Sequence, residues 1–247
     1  VASELLDEQK HDVSLAELPD AWNNNHELEK FCQYCLHDSF LTYSLAVKML
    51  PTIIEIVKIV GIPIYDVNRM GFSQLVEAYL LKQAPLFSEL APNKPSNEQI
   101  LARKMQTYQG AFVFEPKPGL YKDIVVFDYR SLYPTIIGSH NISPGALNCK
   151  CCEGEAELAP LDGKKVWFCK KKKGFIPTLI EDLITRRMRV KEIIKSQKDE
   201  SFAVLDARQN SLKLMANSFY GYLGFFAARW YSLECAPATT AFGRYYI

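Results

Sequence analysis

Apolar and polar positions along the chain divide it into a helical first half, a short extended region and two further long helices. Between residues 27 and 60, apolar side chains recur at Phe31, Cys35, Leu41, Leu45, Met49 and Ile53. That spacing marks one face of a helix, with Pro51 as a kink. A second helix is predicted over 72–82. Pro85, Pro92 and Pro95 make 84–97 a linker. Segments 110–115 and 123–128 are rich in β-branched and aromatic residues and read as strands. A loop rich in Gly and Cys follows over 139–163, and then helical patterns over 177–198 and 202–223.

The second of these helices has two distinct faces. At about 100° per residue, Leu205, Leu212, Met215, Ala216, Phe219 and Leu223 form one apolar stripe. Gln209, Lys213, Asn217 and Tyr220 fall on an adjoining face, a cation, two amides and a ring suited to a nucleoside triphosphate. A decorated outer face is the plainer alternative. In the preceding helix, Ile180, Leu183, Ile184, Met188 and Ile194 define an apolar arc, and Arg187 and Lys191 sit at its centre. Unpaired cations are costly to bury, so the two either snorkel to water or face a polyanion.

Composition changes this picture little. The 247 residues, 48% hydrophobic and 23% charged, are an ordinary globular mixture of one or two domains. Apolar runs such as 50–60 are short or broken by charge, which predicts no membrane span. With no leader at Val1-Ala2-Ser3, the expected location is cytoplasmic. Charge is informative: the net is +1, yet residues 1–38 hold nine Asp/Glu against Lys10 and Lys30. Residues 164–198 hold twelve Lys/Arg against Glu181, Asp182 and Glu192. Such a basic segment suits a polyanion, or is a solvated helix face. Four of the seven cysteines, Cys149, Cys151, Cys152 and Cys169, bracket one loop. Zinc ligands, a disulfide and free thiols are all open readings, since Cys-x-Cys-Cys departs from the usual Cys-x₂₋₄-Cys pairing.

The apolar run ending at Asp128 places a carboxylate at a strand end, where it caps a turn or holds a hard cation such as Mg²⁺. The continuation Asp128-Tyr129-Arg130-Ser131-Leu132-Tyr133-Pro134-Thr135-Ile136-Ile137 resembles motif A of family B DNA polymerases. Lys213-x-x-x-Asn217-Ser-x-Tyr220-Gly221 resembles their motif B. Tyr108-Gln-Gly110-Ala111 is similar to the Tyr-x-Gly-Gly/Ala element that contacts template backbone, although a β-turn is equally served by that glycine. Tyr34-Cys-Leu-His-Asp38 is similar to the third exonuclease motif, and Glu89-Leu-Ala-Pro-Asn-Lys94 lies between it and motif A. The likeness covers essentially the whole chain and is strongest to archaeal enzymes.

The resemblance implies roles. Asp128 would be one of two carboxylates holding a pair of Mg²⁺ ions, with Tyr129 also at the metal. Ser131, Leu132 and Tyr133 would contact the nucleotide, Tyr133 excluding a 2′-hydroxyl by ring bulk unless it is simply a core aromatic. Arg187, Lys191, Lys213, Asn217 and Tyr220 would complete the nucleotide site. Tyr108, Gly110 and Gly221 would bind DNA, while Tyr34 and Asp38 would remain from the exonuclease site. Some thermophilic relatives have a cysteine where Ser232 stands, three residues before Cys235, so that bridge is not expected here.

The expected fold is α+β: a partial palm β-sheet with a two-helix antiparallel fingers insertion, preceded by helices from the end of an exonuclease domain. The expected divisions are 1–60 (exonuclease remnant), 61–103 (linking helices), 104–175 (palm), 176–225 (fingers) and 226–247 (return to palm). The implied activity is DNA-directed DNA synthesis, deoxynucleotidyl transfer to a primer 3′ end, with primer-template DNA and deoxynucleoside triphosphates as partners. Motif C, the thumb and the first exonuclease motif have no counterpart in the sequence. The expectation is therefore a piece of a longer polymerase or one chain of a split one, inactive alone and partnered by the remainder. A non-catalytic nucleic-acid-binding or scaffolding subunit is the rival reading, and a zinc-loop interaction module a third.

Overall fold

The computed structural model describes residues 1–11, 13–196 and 202–247, and four of its helices lie close to where the periodicity predicts them, at 28–60, 72–83, 175–196 and 202–223. The helices are α1 (Ala2–Leu6), α2 (Leu18–Asn23), α3 (Leu28–Val60), α4 (Ile64–Val67), α5 (Phe72–Gln83), α6 (Asn97–Lys104), α7 (Leu132–Ser139), α8 (Phe175–Ser196), α9 (Phe202–Leu223) and α10 (Cys235–Tyr246). The expected end of the α8 pattern at Lys198 lies outside the described residues. The chain forms two units, Val1–Ile54 and Glu55–Ile247.

The expected palm sheet is not found. Among the described residues there is no strand, only isolated bridges pairing Leu147 with Phe168 and Leu158 with Trp167. Segments 110–115 and 123–128 are irregular, and Val125, Val126 and Phe127 are 71%, 86% and 88% exposed. The reason is non-local. A strand needs a neighbour about 4.8 Å away to satisfy its amides and carbonyls, and an unbroken apolar run needs cover on both faces. No described segment pairs with either of them as a strand. The architecture is helical.

Within Glu55–Ile247 the core is a helical layer of α5, α8 and α9. Leu80, Ile176, Ile180, Leu183, Met215 and Leu223 are fully buried, each contributing on the order of 1.5–3 kcal/mol. Tyr79 of α5 meets Phe219 of α9 edge-on at 6.3 Å. Glu77 accepts from the Tyr222 hydroxyl (2.9 Å) and the Arg229 amide (3.0 Å), which ties the chain after α9 to α5. Ser232 accepts from the Cys235 amide at 3.0 Å and secures the start of α10.

Helix α7 was not anticipated as a separate element. It begins after Ser131, whose backbone is left-handed (φ 50°). Pro134 falls in its first turn, where a missing amide costs no intrahelical bond. Ile136 and Ile137 are buried, and Gly138 lets the helix approach α8 closely: a Cβ there would lie 3.1 Å from Glu181 Oε1. Lys173 Nζ donates to both the Gly138 carbonyl (2.8 Å) and Glu181 (2.5 Å), locking that contact.

Helix α3 also corrects an expectation. It continues through Pro51, and an 18-residue window reaches a mean hydropathy of 1.5, so by length and composition it is apolar enough to cross a membrane. Within Val1–Ile54, Phe31 and Leu41 form its buried side, whereas Cys35 and Met49 of the expected stripe are exposed. Its last turns carry the buried Glu55, which accepts from Arg208 Nε at 2.8 Å and Lys58 at 2.6 Å.

Candidate functional site

Three elements converge on one cleft of about 690 Å³: the 128–134 turn entering α7, the outer half of α8 and the polar face of α9. That volume falls within the roughly 300–1,000 Å³ typical of small-molecule sites. Asp128, Tyr129, Ser131, Leu132, Tyr133, Arg187, Lys191, Lys213 and Asn217, all singled out from the sequence, line it. Asp128 is exposed rather than sealed in the interior. Arg130, Lys195, Glu192 and Met188 line it as well and were missed. Lys195 continues the row of Arg187 and Lys191 at the next helical turn, a signal the spacing carried. Arg130 stands between two motif residues.

The charge of the cleft is one-sided: Arg130, Arg187, Lys191, Lys195 and Lys213 against Asp128 and Glu192. Among the described residues, Arg187, Lys191 and Lys213 have no ion-pair partner. Arg187 is half-buried and held by neutral groups, donating from Nε to Gln209 Oε1 (3.3 Å) and from a terminal nitrogen to Ser131 Oγ (3.2 Å). Burial, and then the like charge of Arg130, lower its pKa from the ordinary guanidinium value. Gln209 thus bridges α9 to Arg187 of α8. A cluster with this surplus of positive charge attracts anions.

Next to the cleft, Tyr133 of α7 and Tyr220 of α9 pack with ring centroids 4.5 Å apart. Burial, then a hydrogen bond with Tyr108, raises the Tyr220 pKa. The Tyr108 hydroxyl sits where a Cβ on Gly224 would be, 2.5 Å away. Gly110 offers its carbonyl to Arg244 at 2.5 Å, and Gly221 is exposed with open space around it. Tyr108 and Gly110 therefore gather near α9 and α10 rather than in the cleft. In the other unit, Asp38 pairs with Lys10 at 3.1 Å, and Lys10 lies 5.1 Å over the Tyr34 ring. Desolvation opposes the Asp38 charge, but hydrogen bonds from Lys10 and Tyr34 outweigh it and lower the pKa.

The four loop cysteines come together as a separate cluster. Their sulfurs all lie within 4.8 Å of one another, and none of them is in a disulfide. The amide of Lys172 donates to Cys169 Sγ (3.3 Å) and that of Lys170 to Cys152 Sγ (3.4 Å). The Lys172 amide, against the effect of burial, holds the Cys169 thiol down at about 6.

Comparison with known proteins places this geometry in a family. Residues 62–247 match DNA polymerase family B. The chain is 43% identical over 244 residues to a DNA polymerase of Thermococcus gorgonarius, covering 98% of this chain and 31% of that protein. It is 41% identical to DNA polymerase 1 of Pyrococcus abyssi, with the same coverage. The solved family B DNA polymerase from the hyperthermophilic archaeon Pyrobaculum calidifontis superposes with a TM-score of 0.73 at 36% identity, over 90% of this chain and 29% of that one. The chain thus spans about a third of the length of these relatives.

Proposed function

Because the chain belongs to DNA polymerase family B, we propose that its cleft is the triphosphate-binding half of a polymerase active site serving deoxynucleotide addition to a primer 3′ end. The observation that carries this reading is the convergence of Asp128, Arg187, Lys191 and Lys213 on one cleft with no ion-pair partner for the cations among the described residues.

In this reading Arg187, Lys191 and Lys213 neutralise the β- and γ-phosphates. The first amides of α7, which lack intrahelical acceptors, face the same anion. Asn217 and Tyr220 border the sugar and base, and Tyr133, braced by Tyr220, presents its ring edge to C2′. Phosphoryl transfer asks mainly for positioning and charge neutralisation, and these residues supply both. Asp128 and the Tyr129 carbonyl suit a hard cation, which takes one or two carboxylates and fills its shell with phosphate and water. They would hold Mg²⁺, which when bound would neutralise negative charge on the phosphate oxygens.

The remaining roles fit the same reading. Residues 104–175 and 226–247 correspond to palm, 176–225 to fingers and 61–103 to linking helices. Residues 1–60 correspond to an exonuclease remnant with Tyr34 and Asp38. Tyr108, Gly110 and Gly221 lie where primer-template DNA would pass, and the working place is the cytoplasm, at the nucleoid. The cysteine loop takes a zinc ion.

Calorimetric titration of the chain with Mg²⁺-dATP tests the site. Arg187→Ala and Lys213→Ala should each weaken binding about tenfold or more, a loss of roughly 1.4 kcal/mol or greater. Absence of binding, or affinities unmoved by both variants, overturns the reading.

A further inference from the structure

The geometry points to a zinc tetrathiolate at Cys149, Cys151, Cys152 and Cys169 that clips the 144–172 loop and thereby sets the start of α8. This deepens the cofactor reading of the loop and is independent of the polymerase reading. Three sulfur pairs lie close together: Cys151–Cys152 at 3.7 Å, Cys151–Cys169 at 3.6 Å and Cys152–Cys169 at 3.9 Å. A tetrahedron with Zn–S bonds near 2.3 Å has edges of about 3.8 Å. The observed triangle is one face of that tetrahedron, and Cys149 stands within reach as the fourth vertex. A disulfide pairs two sulfurs and leaves two apart; here all four gather.

The surroundings are those of a built metal site. Amides of Lys170 and Lys172 donate to two of the sulfurs, orienting and charge-balancing them as outer groups do around a ligated thiolate. Two chain segments bring the ligands together. The Asn148 amide donates to the Trp167 carbonyl at 2.9 Å, the Cys169 amide to the Ala146 carbonyl at 2.9 Å, and Trp167 Nε1 to the Cys149 carbonyl at 3.1 Å. Among the described residues, Ala146, Ala156 and Trp167 pack against the buried Cys152 and Cys169 in this cluster. On binding, four thiol protons leave to solvent and four Sγ–Zn bonds form, with no change of oxidation state.

The link to α8 runs through Asn141. Its side-chain amide donates to the carbonyls of Cys169 (2.6 Å) and Lys172 (2.9 Å), and its Oδ1 accepts from the Gly174 amide at 2.7 Å, one residue before α8. A metal that fixes Cys169 therefore fixes the entry of the helix bearing Arg187 and Lys191.

Metal analysis of the purified chain should give one zinc per molecule, and cobalt substitution should give the absorption of a tetrahedral thiolate complex. Cys151→Ser, at an exposed ligand, and Cys169→Ser should both lose the metal, while Cys35→Ser, outside the loop, should retain it. Chelation should accelerate tryptic cleavage at Lys164, Lys165 and Lys170. Zinc well below one per chain, a mass two hydrogens lighter under non-reducing conditions, or metal retained in Cys151→Ser overturns the site. Unchanged cleavage after chelation overturns the clip. A chain that takes zinc but no Mg²⁺-dATP defeats the polymerase reading alone, and the converse result defeats this one alone.

Discussion

Tyr133 shows how one side chain is held rigid by its neighbours. Its ring is pressed by Tyr220 at 4.5 Å, and a Cβ on Gly243 would lie 3.3 Å from its Cε1. Displacing a packed ring to admit a 2′-hydroxyl costs on the order of 1–3 kcal/mol. In a polymerase carrying this site, Tyr133→Ala should raise ribonucleotide incorporation relative to deoxynucleotide by about tenfold or more, whereas Tyr133→Phe should leave the ratio unchanged. Competitive primer extension measures it, and an unaltered ratio in Tyr133→Ala removes the sugar-sensing role. The identity of Tyr133 was readable from the motif; its brace on Tyr220 was not, because the two positions are far apart in sequence and meet only when α7 docks on α9.

At the scale of elements, two contacts hold the helices that present the cleft. The buried Glu55 at the end of α3 pairs with Arg208 of α9 and with Lys58. Desolvation opposes its charge, but those two partners prevail and its pKa is lowered in the folded state. A depressed carboxyl pKa contributes stability that is present above the unfolded value and lost as pH falls through the folded one. Glu55→Gln should therefore cost about 1 kcal/mol at neutral pH, the exposed flank of Arg208 limiting the loss. Urea unfolding at pH 7 and pH 3 should show that deficit shrinking in acid; a constant deficit contradicts the ion-pair account. The second contact is at Gly174, where an added Cβ would meet Ser143 Cβ at 2.7 Å. Gly174→Ala should destabilise by about 1–3 kcal/mol, read as a lower melting temperature, and an unchanged one would show that the α8 entry yields freely.

For the molecule as a whole, the cleft's surplus of positive charge is a folding liability that a bound anion relieves. Mg²⁺-dATP at a hundredfold excess over Kd should stabilise the chain by about 2.7 kcal/mol. Thermal melts with and without nucleotide check this, and Asp128→Asn should remove the Mg²⁺-dependent part of the gain. An identical shift in Asp128→Asn would take the metal away from that carboxylate.

What the amino-acid sequence determined by itself was local: the long helices, the side of α9 that is buried, and the residue types at Asp128, Tyr133, Arg187, Lys191 and Lys213. Helical periodicity and a short motif both live within a few turns of chain, so they are legible there. Tertiary structure alone decided the rest. Runs such as 123–128 have strand composition, yet a strand exists only with a partner, and among the described residues none pairs with them. Gln209 bridging to Arg187, Glu55 meeting Arg208 and Cys149 meeting Cys169 join positions distant in sequence. Those meetings depend on how helices pack, which no local pattern encodes.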